Sequence, residues 1–201
     1  MSAEAALAPV YFEAKVGSHV FPVLPGHHKV MTEPDIAITT LLGSCVAACI
    51  RDRRTGMGGL NHFLLPKDRS EGAAGGFSAR YGVNAMEVLI NDILKLGARK
   101  EDLEAKVFGA ANVIARAELN NVGAQNAEFV ISYLRNEGIR LLAADLGGDR
   151  ARRVYFFPST GSVKVLNMSN TDTARATEQE VSLAEKLRGE KRAQPSIVEL
   201  F

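Results

Sequence analysis

The chain has 201 residues, 46% of them hydrophobic and 23% charged, with a formal net charge of +1. That length suits one substantial domain, which hides roughly 70% of its extended-chain surface and needs no disulfide or metal staple. The near-neutral charge makes no electrostatic case for nucleic acid or an anionic membrane, and no apolar run approaches the length of a membrane span.

Residues 1–9 read as a loose arm, without the basic segment or long apolar core of a secretory leader. Residues 10–16 alternate as a strand, and 17–26, with two prolines, form a loop or short strand. Residues 30–33 and 36–42 read as two strands around a turn at Pro34-Asp35. Residues 46–51 form another strand, 51–56 a polar turn, and 57–65 an apolar run stopped by Pro66. Residues 67–79, rich in Gly, Ala and Ser, predict a mobile loop. Apolar residues at helical spacing predict a helix over 81–96, with Gly97 as its C-cap. A short buried strand follows at 105–109. A second helix spans 122–137, with Asn121 as its N-cap and Gly138 at its end. Residues 139–146, 153–157 and 162–168 read as three closing strands.

Residues 173–192 are highly charged and helix-prone, an appendage rather than core, with Leu183, Ala184 and Leu187 offered to a partner. Residues 196–201 end the chain in an apolar stretch expected to dock on the body or on a partner. The mixture of helices and closely spaced strands predicts a mixed or antiparallel α/β sandwich rather than a doubly wound parallel sheet.

The chemistry centres on Gly43-Ser44-Cys45, followed seventeen residues later by His62. A thiol and an imidazole on neighbouring strands are the minimum apparatus for nucleophilic cysteine chemistry. Gly43 and Ser44 leave room for a substrate carbonyl and offer N–H groups to an oxyanion. A third group must orient the imidazole, and Thr39 and Thr40 both stand near. Taken alone, Cys45 and His62 are also what an ordinary core contains. Cys49 reads as structural. Cys45 and Cys49, four apart in one extended run, share a face but are too distant for a disulfide, so free thiols and a reducing cytoplasm are expected. The histidines His19, His27, His28 and His62 form no metal-ligand pattern with the cysteines, and neither a cofactor nor a metal is expected.

The segments Thr39-Thr40-Leu41-Leu42-Gly43-Ser44-Cys45-Val46-Ala47-Ala48-Cys49 and Gly58-Gly59-Leu60-Asn61-His62-Phe63-Leu64-Leu65-Pro66 resemble the signature of the CheD family of chemoreceptor glutamine deamidases. The likeness continues through Arg80-Tyr81-Gly82-Val83-Asn84-Ala85-Met86-Glu87, Lys106-Val107-Phe108-Gly109-Ala110-Ala111 and Val154-Tyr155-Phe156-Phe157-Pro158-Ser159-Thr160-Gly161. Many relatives carry Gly-Gly-Ala where this chain has Gly109-Ala110-Ala111.

The resemblance implies a β-sandwich flanked by helices, similar to bacterial toxin deamidases, and a catalytic triad of Cys45, His62 and Thr39, not Thr40. It implies hydrolysis of receptor glutamine side chains to glutamate through a cysteine thioester. It also implies a chemoreceptor helical bundle as substrate, the phosphatase CheC as a second partner, and a cytoplasmic protein recruited to membrane receptors. Residues 1–27 are then an arm and first strand, 28–168 the deamidase core, and 169–201 a charged tail outside the resemblance. Two rivals remain: a transglutaminase using the same thioester, and a non-catalytic module that binds receptor or CheC.

Overall fold

The computed structural model describes residues 10–65, 77–113 and 122–193. The N-terminal arm, most of the loop predicted at 67–79, the Asn121 cap and the apolar end at 196–201 lie outside the described residues. In chain order the elements are β1 (Tyr11–Glu13), β2 (Ser18–Pro22), β3 (His28–Met31), β4 (Ile36–Leu42), β5 (Val46–Asp52), β6 (Gly58–Asn61) and α1 (Phe77–Lys95). A 3-10 turn at Lys100–Asp102 leads into β7 (Leu103–Gly109). Then come α2 (Val122–Asn136), β8 (Arg140–Leu146), β9 (Arg152–Phe157), β10 (Ser162–Asn167) and α3 (Asn170–Ala193).

The strands form two mixed sheets, ordered β1-β2-β4-β9-β10 and β3-β6-β5-β7-β8. Each contains one parallel pair, β2 with β4 and β7 with β8, and is otherwise antiparallel. The predicted mixed α/β sandwich is the observed class. The two strands flanking Pro34-Asp35 are not partners, however. β3 joins β6 in one sheet and β4 lies between β2 and β9 in the other. All seven residues of β4 are buried or half-buried, so it needs a strand on each side and a layer on each face, which a hairpin with β3 does not provide.

Strand alternation distributes the side chains between layers. From β4, Ile38 and Leu42 enter the core between the sheets, while Ala37 joins Val20 and Tyr155 on the outer face. From β5, Ala47 and Cys49 enter the inter-sheet core, together with Cys45 just before the strand, while Val46, Ala48 and Ile50 face the helices. α1 lays Met86, Leu89, Ile90 and Ile93 on that helical side, at the spacing of one helix face, and α2 adds Val130 and Leu134. Gly97 and Gly138, both at positive φ, follow α1 and α2 in the left-handed conformation that ends helices.

The end of the sandwich away from Cys45 is fastened by two cations. Arg51 donates to Glu104 at 2.7 Å and to the carbonyls of Pro158 and Ser159 at 3.2 and 3.1 Å. Lys106 Nζ donates to the carbonyl of Gly161 at 2.8 Å. Both residues stand on the β5–β7 sheet and both reach the turn between β9 and β10 of the other, joining the layers with charge-assisted bonds.

β3, β6 and α1 approach closely enough at Gly59 to leave no room for a side chain. A Cβ there would lie 2.5 Å from the Lys29 carbonyl oxygen and 2.8 Å from Leu89 Cδ1. Gly59→Ala should therefore cost about 2 kcal/mol or more through overpacking. Denaturant melts would show a lowered midpoint with an unchanged slope.

Candidate active site

The chain crosses between the sheets at Gly43-Ser44-Cys45, the link from β4 to β5. The three carbonyls of this turn are each bonded to a fixed donor. Gly43 O accepts from Ala111 N–H at 2.7 Å, Ser44 O from Asn126 Nδ2 at 2.9 Å, and Cys45 O from Ala110 N–H at 2.7 Å. Gly109 makes the approach possible. It lies at φ +112°, and a Cβ on it would run into the Cys45 carbonyl. Ala110 also adopts a left-handed conformation, at φ 58°, which costs an alanine about 1–2 kcal/mol. This is the position where the resemblance places a glycine. Asn126, wholly buried on α2, accepts from Leu65 N–H at 2.8 Å with its other end, so it ties the turn to the chain after His62.

With the carbonyls held on one side, the three N–H groups point to the other and converge on the carboxylate of Glu180, from α3. Oε1 accepts from Gly43 N–H at 2.7 Å and from Cys45 N–H at 3.0 Å. Oε2 accepts from Ser44 N–H and from Ser44 Oγ, both at 2.8 Å. Glu180 is 1% exposed. The charged helix is therefore not the solvated appendage expected from its composition. Ala176, Glu180 and Leu187 of α3 are buried, and Leu183 and Ala184 pack against the inter-sheet core, on this body rather than on another protein.

His62 lies one residue beyond β6. The β5–β6 register pairs Cys49 with Leu60 and continues to a bridge between Val46 and Phe63. It thus sets His62 opposite Ala47, diagonal to Cys45 and on the same face. Cys45 Sγ, a His62 ring nitrogen and a Glu180 carboxylate oxygen lie within 4.8 Å of one another. Thiol and imidazole meet as the strand reading requires.

The third residue is not the expected one. His62 Nδ1 is 2.7 Å from Thr40 Oγ1, which is also 2.8 Å from the Val23 carbonyl. A hydroxyl has one proton and the carbonyl can only accept, so Thr40 donates to Val23 and accepts from His62 Nδ1–H. The bond fixes the tautomer and leaves Nε2 unprotonated. Thr39, expected in this place, alternates to the opposite face of β4, and its buried Oγ1 has no hydrogen-bond partner among the described residues. One residue of strand register separates the two threonines, and it reverses the side on which each hydroxyl emerges.

Burial and neighbours set the proton positions. Desolvation, with a small contribution from His27, pushes His62 down from 6.5 to about 3, so the imidazole is neutral. Desolvation, reinforced by the adjacent Glu180 charge, raises the Cys45 thiol well above its usual value. The resting pair is therefore thiol and imidazole rather than thiolate and imidazolium. Cys45, His62 and Glu180 together could face a metal ion. The donor set argues for an anion site instead, because the carboxylate oxygens already accept four hydrogen bonds and the converging N–H dipoles repel a cation.

The residues alone offer Thr40 beside Thr39, and the resemblance chooses Thr39; Asn126 and Glu180 are missed as contributors. Asn126 carries a visible signal, and Glu180 one that the charge of its helix masks. Asn126 interrupts the buried stripe Val122, Asn126, Val130, and Glu180 interrupts the stripe Ala176, Glu180, Leu183, Ala184, Leu187.

A thiol beside an unprotonated imidazole nitrogen, with amides bound to an oxygen next to it, is equipped for attack on a carbonyl carbon. This is the apparatus of cysteine acyl-transfer enzymes. Residues 64–167 match the family model for CheD, described as CheD chemotactic sensory transduction. A protein of Cupriavidus metallidurans, named probable chemoreceptor glutamine deamidase CheD, is 47% identical over 88% of this chain and 81% of its own. One of the same name from Methylobacillus flagellatus is 46% identical over 96% of this chain and 94% of its own. The chain belongs to the CheD family. Among solved structures, a Neisseria meningitidis protein of family-model DUF152 covers 67% of this chain and 66% of its own, with 10% identity and a TM-score of 0.43.

Two measurements test this geometry. Thr40→Val strands both the Val23 carbonyl and His62 Nδ1–H and should cost about 2 kcal/mol or more, whereas Thr39→Val removes an unpaired buried hydroxyl and should be neutral or stabilising by up to ~1 kcal/mol. Urea melts of the pair decide which threonine holds His62. Because His62 has a lower pKa folded than unfolded, the unfolded state binds the extra proton between pH 6.5 and about 3. This contribution to stability is complete above pH 6.5 and falls by about 1.4 kcal/mol per unit as pH drops below it. Melts at pH 7 and pH 5 should show that loss in the native chain and a smaller one in His62→Gln.

Proposed function

We propose that this CheD-family chain hydrolyses the side-chain carboxamide of glutamine to glutamate on chemoreceptors, the activity that its curated relatives' names carry. The observation that carries the reading is the carboxylate held in the Gly43–Cys45 amides beside Cys45 and His62. A glutamate side chain is the product of that reaction, and a glutamine side chain has the same shape.

With a carboxamide in place of the carboxylate, its oxygen takes the N–H groups of Gly43 and Cys45. The Cys45 thiol gives its proton to His62 Nε2 as Sγ forms a bond to the carboxamide carbon. The oxygen becomes an oxyanion, stabilised by N–H groups already aimed at it. Removing one such donor typically costs 10²–10³ in kcat. The tetrahedral intermediate collapses by breaking the C–N bond, and the His62 proton leaves with ammonia. His62 then takes a proton from water as its oxygen attacks the thioester carbon, the C–S bond breaks, and the thiol is reprotonated. Thr40 keeps Nδ1 protonated throughout, so Nε2 is always the nitrogen that exchanges the proton.

Each turnover changes a neutral side chain into a charged one. On a packed helical bundle this adds repulsion of roughly 0.2–0.5 kcal/mol per like-charged neighbour. The receptor's cytoplasmic helical bundle is the proposed substrate, CheC the proposed second partner, and the receptor-bearing membrane surface in the cytoplasm the proposed place of action. Among the described residues, no helix is long and apolar enough to cross a membrane.

Peptide mass spectrometry of a receptor cytoplasmic fragment incubated with the chain should show glutamine converted to glutamate. Cys45→Ala should reduce the rate by at least about 10⁴-fold, as loss of a nucleophile does in related chemistry. Persistent conversion with Cys45→Ala would overturn the thioester route.

A further inference from the structure

We propose that α3 is a tethered stand-in for the product. It lies in the groove that a substrate helix enters, with Glu180 where the newly made glutamate would be, and it keeps the site closed until it leaves. This deepens the reading above and rests on it.

Three observations carry the inference. First, Glu180 makes the contacts a product carboxylate would make. It accepts from all three amides of the nucleophile turn and from Ser44 Oγ, and one of its oxygens lies within 4.8 Å of Cys45 Sγ. A helix that served only to cover apolar surface would place an apolar residue at the centre of its buried stripe, since burying a carboxylate is costly unless every oxygen is paired. Second, the seating closes the site. Cys45 is 0% exposed and His62 1%, so nothing of substrate size reaches either while α3 is in place. Third, the charge opposes the chemistry. Glu180 beside Cys45 disfavours the thiolate, which suits a resting state and not a working one.

The stripe also describes the substrate. Around Glu180 it has a small residue, Ala176, four positions before, Leu183 and Ala184 three and four positions after, and Leu187 seven positions after. Leu183 enters beside Gly26, where an added Cβ would lie 3.2 Å from its Cδ1. The partner that fits is a helix presenting glutamine on a face of small and aliphatic residues. It competes with α3 for the same groove, so substrate binding and α3 release are one exchange.

The test compares the full chain with Glu180→Ala and Glu180→Gln by two readouts. The first is the rate of alkylation of Cys45, resolved from Cys49 by peptide mapping. Glu180→Ala should be labelled about tenfold faster or more, the measure of a closed state losing its latch. The second is the fate of the introduced carboxamide in Glu180→Gln, which is seated beside Cys45 on its own helix. It should convert to a carboxylate on incubation, and the same change carried with Cys45→Ala should not. Circular dichroism checks that the variants are folded. If Glu180→Ala is not, Leu187→Ala, which loosens the seat of α3 without touching the turn, carries the labelling comparison.

Equal labelling of native chain and folded variant overturns the inference, while conversion of a receptor fragment by the native chain would leave the hydrolytic function standing. Faster labelling without conversion of either the introduced carboxamide or a receptor fragment supports closure by α3 and overturns the hydrolytic reading.

Discussion

Backbone polar groups in a buried turn must all find partners, and at Gly43-Ser44-Cys45 that requirement organises the molecule. The three carbonyls are bound by Ala111, Asn126 and Ala110, which fixes the direction of the peptide planes and leaves three N–H groups facing a single point. Meeting this requirement needs β7 to end in a left-handed pair at Gly109 and Ala110 and α2 to bury an asparagine. It also needs an acceptor in front of the amides. In this structure the acceptor is Glu180; in the proposed reaction it is a carboxamide oxygen. The anion site is thus a by-product of how the turn is held, and its chemistry needs no further device.

The same logic separates the parts of the site by rigidity. Turn, imidazole and Thr40 belong to packed strands or their ends; the backbone groups of the turn are bonded on both sides, and Thr40 holds the imidazole through Nδ1. Glu180 reaches the site from a helix outside both sheets, whose buried residues among those described are Ala176, Glu180 and Leu187. In the proposed reaction a helix enters the site, which then needs a firm half and a removable half, and the boundary between them would run along the surface of α3.

Much of this was legible in the chain. Helices and strands followed from local periodicity, and nearly every predicted element exists within a few residues of its place, because alternation and helical spacing are properties of neighbours. The meeting of Cys45 and His62 was legible for the same reason: two adjacent strands of known length bring them together. What depended on distant partners was not. Whether β3 pairs with β4 is settled by β6, β2 and β9, far away in sequence. Whether Thr39 or Thr40 faces His62 turns on which side of β4 meets the other sheet, and a run buried on both faces does not reveal it. Glu180 was hidden by its surroundings. In a helix so rich in charge, a glutamate on the apolar stripe reads as one more solvated residue until the groove it enters is known.

The nucleophile turn is also the point where the chain leaves one sheet for the other, between β4 and β5. Neither sheet alone contains a site, since β4 supplies Thr40, β6 leads to His62, and the turn belongs to both. β4 itself is held by β9, more than a hundred residues later in the chain. Such non-local pairing forms slowly and late during folding. A nascent chain that has made its first six strands therefore carries a thiol and an imidazole on paired strands, but β4 still lacks β9 and the turn still lacks the donors of Ala110, Ala111 and Asn126 that hold its carbonyls. The amides of the turn are aimed only with those donors in place, and the helix that follows the last strands covers them.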